Sequence, residues 1–153
     1  MPNTQQLAAS AEYVTVTIGN QLFGLPIARV QDVFVVSQMT RVPLAGDDIA
    51  GVINLRGRIV TAIDLRRRLG LSDDVGGAKM AVGIEGVGES YGLVIDGVGE
   101  VLKLGAETEE PVPVNLDERL KRVAAGVHRL NDRLMVVLDV DGILDLKCNE
   151  MAA

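Results

Sequence analysis

The stretch Gly51–Leu71, GVINLRGRIVTAIDLRRRLGL, returns 75 residues later as Gly126–Leu146, GVHRLNDRLMVVLDVDGILDL. Seven of the 21 aligned positions are identical, including Gly51 with Gly126, Arg58 with Arg133 and Asp64 with Asp139, and most apolar positions also match. Upstream, FGLPIARVQDVF from Phe23 and YGLVIDGVGEVL from Tyr91 share Gly, Leu, Ile, Val and Val in register at an offset of 68. The chain is a duplication. The difference between the two offsets puts an insertion in the second half, in EEPVPVNLDERLKRVAA, where prolines and charges mark a loop leading into a short helix. The first repeat then covers about 13–71 and the second about 81–146, within one domain spanning 12–146 whose strands can exchange between lobes, with flexible tails at 1–11 and 147–153.

Each repeat reads as several short strands. YVTVTI alternates apolar and polar residues at period two, RIVTAIDL and RLMVVLDV are nearly continuous apolar runs suited to buried strands, and Gly19-Asn20 and Gly57 supply turns. Asp64 is placed to cap the amides of LRRRL before Gly70 ends that helical turn, and Asp139 repeats the cap. Parallel βαβ units would need crossover helices of a dozen residues, which the sequence lacks. The expectation is an all-β fold of two small β-barrels with short helical turns, and a cleft between the lobes as the natural binding site.

The composition narrows the function. Of 153 residues 48% are apolar, enough for a core, and with no Trp, two Tyr and two Phe that core must be aliphatic. The net charge of −6 is concentrated after residue 75, and without a basic excess nucleic acid is excluded as a partner. Cys148 has no mate, so no disulfide framework or thiolate metal cluster can form within one chain. No run of 18 apolar residues occurs and the N-terminus lacks a signal-peptide pattern, which points to a cytoplasmic protein with no direct membrane insertion.

The motifs that could carry chemistry fall short of it. GIEGVGESYG, Gly83–Gly92, is followed by a strand where a phosphate loop must open a helix. DVDGILD, Asp139–Asp145, begins like a calcium loop but has Ile143 and Leu144 where a ligand and the turn glycine must stand. His128, the single histidine, has apolar Ile53 as repeat partner and reads as a wall residue, while Glu107, Glu109 and Glu110 beside Pro111 read as a solvated loop. No nucleophile, base and ligand set emerges, so no catalytic residue, cofactor or metal is expected.

The arginines remain. Arg66, Arg67 and Arg68 read as a solvated face, so Arg66→Ala is expected to change little. Arg56 differs, because its repeat partner is Asn131 and the duplication does not demand a cation there; a planar fork on a rigid turn is suited to a carboxylate on another protein. GVINLRGRIVTAIDLRRRLGL, with FGLPIARVQDV before it and YGLVIDGVGEVL after it, resembles the CheW family of chemotaxis coupling proteins over residues 12–146. The Asn-Leu-Arg-Gly turn followed by Ile-Asp-Leu-Arg is the most specific part of the match. Thr61, where family members usually carry proline, and Asp32, where many carry glutamate, depart from the pattern.

The resemblance implies two SH3-like five-stranded β-barrel lobes and a non-catalytic scaffold linking the cytoplasmic tips of methyl-accepting chemoreceptors to the regulatory domain of the histidine kinase CheA, in receptor arrays at the inner face of the membrane. Other copies of the chain, assembled in rings, are a further candidate partner. By the same resemblance Asp32, Gly51, Asn54 and Arg56 are binding residues, and Gly51 and Gly57 are backbone requirements first. Val30 and Val33, with their repeat partners Val98 and Val101, are expected to form the groove that receives the receptor tip, such that Val98→Asp weakens docking and spares the fold. The alternatives are that these valines weld the lobes together, that the cleft belongs to a small enzyme, or that the chain is a β-barrel regulator outside chemotaxis.

Overall fold

A computed structural model of the chain describes residues 11–42, 46, 48–71, 79–86, 88–131 and 133–145. In chain order the elements are β1 (Ala11–Ile18), β2 (Gln21–Pro26), β3 (Asp32–Val35), β4 (Ile49–Leu55), β5 (Arg58–Asp64), α1 (Leu65–Leu69), β6 (Met80–Glu85) and β7 (Ser90–Ile95). Then come β8 (Gly97–Leu104), β9 (Glu109–Glu110), α2 (Glu118–Val123), β10 (Ala124–Leu130), β11 (Arg133–Leu138) and α3 (Val140–Asp145), with 3-10 turns at Ile27–Arg29 and Ala106–Thr108. The expected tails lie outside the described residues except for Ala11, which opens β1. Among the described residues no helix is long and apolar enough to cross a membrane.

The strands form two sheets, ordered β8-β1-β2-β11-β10-β9 and β3-β6-β7-β5-β4. Apart from the two-residue β9, each has five strands, and the fold is the expected all-β pair of SH3-like lobes, although neither sheet closes on itself into a barrel. The halves interlace. Hairpin β1–β2 of the first repeat completes the sheet of β8, β10 and β11 from the second, while hairpin β6–β7 of the second completes the sheet of β3, β4 and β5 from the first. This exchange creates two equivalent parallel seams, β2 with β11 through Phe23 opposite Val136, and β5 with β7 through Ala62 opposite Gly92. Parallel pairs thus arise without crossover helices, because the joined strands come from different repeats.

The duplication reaches into backbone detail. β4 carries a bulge between Ile49 and Gly51, and β10 carries its counterpart between Ala124 and Gly126. Asp64 accepts a hydrogen bond from the Arg67 amide at the start of α1, and Gly70 ends that helix in the left-handed conformation, as the sequence predicts. Asp139 occupies the equivalent place before α3, its carbonyl accepting from the Ile143 amide. The inserted segment holds β9 and then α2, capped by Asp117.

One largely aliphatic cluster fills the space shared by both sheets and the three helices. Phe23 and Leu25 from β2, Leu93 and Ile95 from β7, Leu65 and Leu69 from α1, Leu120 from α2 and Ile143 from α3 are all buried in it. Each such side chain stabilises by roughly 1.5–3 kcal/mol relative to exposure. A smaller cluster of Ile53, Val60, Ala62 and Val94 lines the first lobe. His128 is buried on β10 at the position that Ile53 holds on β4, with its Nδ1 2.7 Å from Thr108 Oγ1.

The arginine triple departs from expectation. Arg67 alone is exposed, while Arg66 and Arg68 are buried. Arg66 Nη2 lies 2.7 Å from Asp96 Oδ1, and Arg68 Nε lies 2.6 Å from Asp48 Oδ2. The reason is geometric: Leu65 and Leu69 set the inward face of α1, Arg67 lies opposite it, and Arg66 and Arg68 lie on its two flanks, where the fold covers each and supplies a carboxylate.

Candidate functional site

The β4–β5 hairpin and the edge strand β3 build the site. The loop between Leu55 and Arg58 has two residues, and both have positive φ, 53° at Arg56 and 84° at Gly57, the type I′ pattern whose twist matches paired strands. Asn54 Oδ1 accepts a hydrogen bond from the Gly57 amide at 3.0 Å and holds the loop shut. Asn131, the repeat partner of Arg56, has φ 49° on the equivalent hairpin. Arg56 is therefore held in a left-handed conformation that its residue type does not favour, at the tip of a rigid turn.

Gly51 lies at the bulge below. A Cβ there would stand 2.4 Å from the Thr40 carbonyl oxygen and 2.8 Å from Met39 Cγ, because Thr40 pairs with Val52 and covers the outer edge of β4. Its requirement is close backbone approach, as expected for a backbone position.

Asp32 opens β3 opposite Gly83, and its carboxylate occupies the space a Cβ on Gly83 would take, 2.6 Å from Oδ1. There it faces Arg56, with Nη1 3.7 Å from Oδ2, while the Arg56 side chain remains 79% exposed. An exposed pair at this distance contributes little to stability and is free to be re-paired by a partner. Around it Gln31 donates to Glu85 at 2.8 Å, Arg58 bonds Ser90, and Tyr91 donates its hydroxyl proton to Glu89 at 2.9 Å. Burial, and then the Glu89 carboxylate, push the Tyr91 phenol above its usual range, so it stays a donor.

Asp32 and Arg56 thus meet at one surface, with Asn54 bracing the turn that carries Arg56, whereas Gly51 lies farther down β4 against Thr40 and Met39. The valines divide differently. Val30 and Val98 pack against the main core, whereas Val33 on β3 and Val101 on β8 are exposed, on edge strands of different sheets. Ile59, just after the turn, is also exposed, as is its repeat partner Leu134. Neither entered the sequence-based site, although their shared place after each hairpin was visible in the alignment. Glu109 and Glu110 belong to β9, with Glu110 3.1 Å from Arg129.

The two lobes differ in how open this region is. In the first lobe Asp32, Phe34, Leu55, Arg58 and Tyr91 leave a space of only about 20 Å³. The corresponding part of the second lobe, lined by Glu100, Leu102, Leu130, Asn131 and Arg133, is a groove of about 480 Å³. GIEGVGESYG joins β6 to β7, and DVDGILD forms the start and body of α3. Among the described residues no three His, Cys, Asp or Glu side chains come together in a way that could hold a metal ion.

A family model of the CheW-like domain matches residues 12–148. The chain is 34% identical over 137 residues to a chemotaxis protein CheW from Klebsiella aerogenes, covering 87% of this chain and 81% of that one. It is 28% identical over 135 residues to a chemotaxis protein CheW from Thermotoga maritima, covering 88% and 87%. The crystal structure of the scaffolding protein TtCheW from Thermoanaerobacter tengcongensis is similar with a TM-score of 0.74 at 27% identity, over 84% of this chain and 88% of that one.

Proposed function

The chain belongs to the CheW-like family, and from that premise we propose that it is a non-catalytic scaffold in chemotaxis that holds chemoreceptor cytoplasmic tips and the regulatory domain of the CheA kinase in one assembly. Its role as a chemotaxis coupling protein follows from the family and from the similarity to a solved scaffolding protein. The observation that supports this reading of the surface is the Asp32–Arg56 pair, a cation and a carboxylate held 3.7 Å apart at the head of a rigid hairpin and exposed to a partner. Each can form a charge-assisted bond with a partner group of opposite sign, and Val33 on β3 and Ile59 on β5, exposed on the same lobe, supply apolar contact. Val30, Val98 and Val101 belong to the same reading, the first two as side chains packed against the main core that both lobes share and the third as the counterpart of Val33 on the second lobe. Such an assembly works at the cytoplasmic face of the membrane without inserting into it, and a second copy of the chain is a candidate neighbour in it.

The test is titration of the chain against a receptor cytoplasmic fragment and against the kinase regulatory domain. Saturable binding to both, with a ternary complex at higher mass, is the expected result. Failure to bind either would place the protein outside this coupling role.

A further inference from the structure

A duplicated, interlaced chain faces a pairing problem. Each lobe joins one hairpin, β1–β2 or β6–β7, to the remaining strands of the other half, and a second copy of the chain offers the same parts again. The two halves are related by an approximate twofold operation, since it carries the β2–β11 seam onto the β7–β5 seam. Arg68 and Ile143 are repeat equivalents, and Arg68 Nη1 donates a hydrogen bond to the Ile143 carbonyl oxygen at 3.0 Å. Equivalent residues can touch only where they straddle the axis, so this contact marks it.

Around that axis the backbones agree and the side chains do not. The Asp64 amide donates to the Asp48 carbonyl at 2.8 Å, and its counterpart Asp139 donates to the Val123 carbonyl at 2.7 Å. Yet the first half places a buried ion pair there, Asp48 with Arg68, their side chains 3% and 4% exposed, where the second half places buried Val123 and Ile143.

We propose that the Asp48–Arg68 pair is a pairing-selectivity element, which favours joining a first half to a second half over joining first half to first half between two copies. In the observed pairing one guanidinium satisfies itself with Nε on Asp48 and Nη1 on the Ile143 carbonyl. In a first-with-first assembly each guanidinium keeps its own Asp48, but two of them would stand against each other across the axis where the observed pairing sets one beside Ile143, so crowding and a like-charge contact only partly offset by the carboxylates work against the wrong partner. A second-with-second assembly meets no such charge, but every one of them leaves two first halves to be paired. A buried ion pair is weak evidence for stability, and selection among alternative pairings is its best-attested use.

The experiment uses the full chain with Asp48→Val and Arg68→Ile together, which copies the second half's apolar pair into the first. Wild type and variant, both carrying Cys148→Ser and a spin label at Arg67→Cys, are refolded from urea at low and high concentration. Mass and the label-to-label distance within dimers are then read. The variant is expected to fold and to yield about tenfold more of a dimer with a short label-to-label distance, the ratio that about 1.4 kcal/mol of lost discrimination gives. If the double variant fails to fold, the neutral pair Asp48→Asn with Arg68→Met carries the same expectation. No rise in that dimer, or a rise only in dimers with long label separations, overturns the proposal.

Discussion

Arg56 and Asp32 reach the same point from different strands, the first from the tip of the β4–β5 hairpin and the second from the start of edge strand β3, and face each other at 3.7 Å. The pair is exposed, so its loss should hardly move the melting temperature. Arg56→Ala is expected to weaken partner binding tenfold to a hundredfold, since a charge-assisted bond contributes on the order of 1.5–3 kcal/mol. Arg56→Gly sharpens the test: it removes the same cation and relieves a residue held at φ 53°, so it should bind as poorly as Ala and melt no lower than wild type. Wild-type affinity in both variants would make Arg56 a turn residue only.

Gly83→Ala probes the partner carboxylate without touching a charge. The added methyl would meet Asp32 Oδ1 at 2.6 Å, the far end of a half-exposed side chain that can swing away. A folded protein with an unchanged circular dichroism spectrum and weaker binding is expected. Unchanged affinity would show that the position of Asp32 is immaterial to docking.

The valines separate by burial. Val98 packs against the main core, so Val98→Asp should lower stability by several kcal/mol and unfold part of the protein. Val33 and Val101 are exposed on edge strands, so Val33→Asp and Val101→Asp should melt within a few degrees of wild type. Thermal melts, followed by receptor-fragment titration of the two folded variants, check this. Normal binding by both would remove the exposed valines from the contact surface.

Much of this was legible because a duplication states its own register. The offset of 75 paired Gly51 with Gly126 and Asp64 with Asp139, and the structure repeats the bulge at the first pair. What escaped was set mostly by contacts between residues distant in sequence. Nothing local to LRRRL says that Arg66 and Arg68 turn inward, because Asp96 and Asp48, which receive them, arrive from distant strands and turns. The left-handed φ of Arg56 was also hidden: the favoured Asn-Gly pair of a type I′ turn is split between the repeats, with Asn at 131 and Gly at 57. The valines were spaced alike in both halves, but spacing alone did not say which of them the core would claim.

Arg66 gives the last prediction, and it reverses the expectation drawn from sequence. Its guanidinium is buried against Asp96, whose Oδ1 also accepts from Lys79 Nζ at 3.1 Å and whose Oδ2 accepts from the Gly19 amide at 2.6 Å. Arg66→Ala should destabilise by about 1–3 kcal/mol, because Asp96 loses one charged partner but keeps Lys79 and the Gly19 amide. Arg67→Ala, on the exposed face of the same helix, should cost far less. The cluster also fixes a pH dependence. Burial alone would raise the Asp96 carboxyl, but hydrogen bonds from Gly19, Lys79 and Arg66, with the charge of Arg66, outweigh it and hold the group below its ordinary value of 3.8. A carboxyl depressed in the folded state binds fewer protons than in the unfolded chain, so its stabilisation is complete above the ordinary value and lost as pH falls through the folded one. Urea melts of wild type should therefore show stability falling below about pH 4, and Asp96→Asn, less stable at neutral pH, should show a shallower fall over the same range. Parallel acid limbs in the two proteins would mean that other carboxylates set the acid sensitivity.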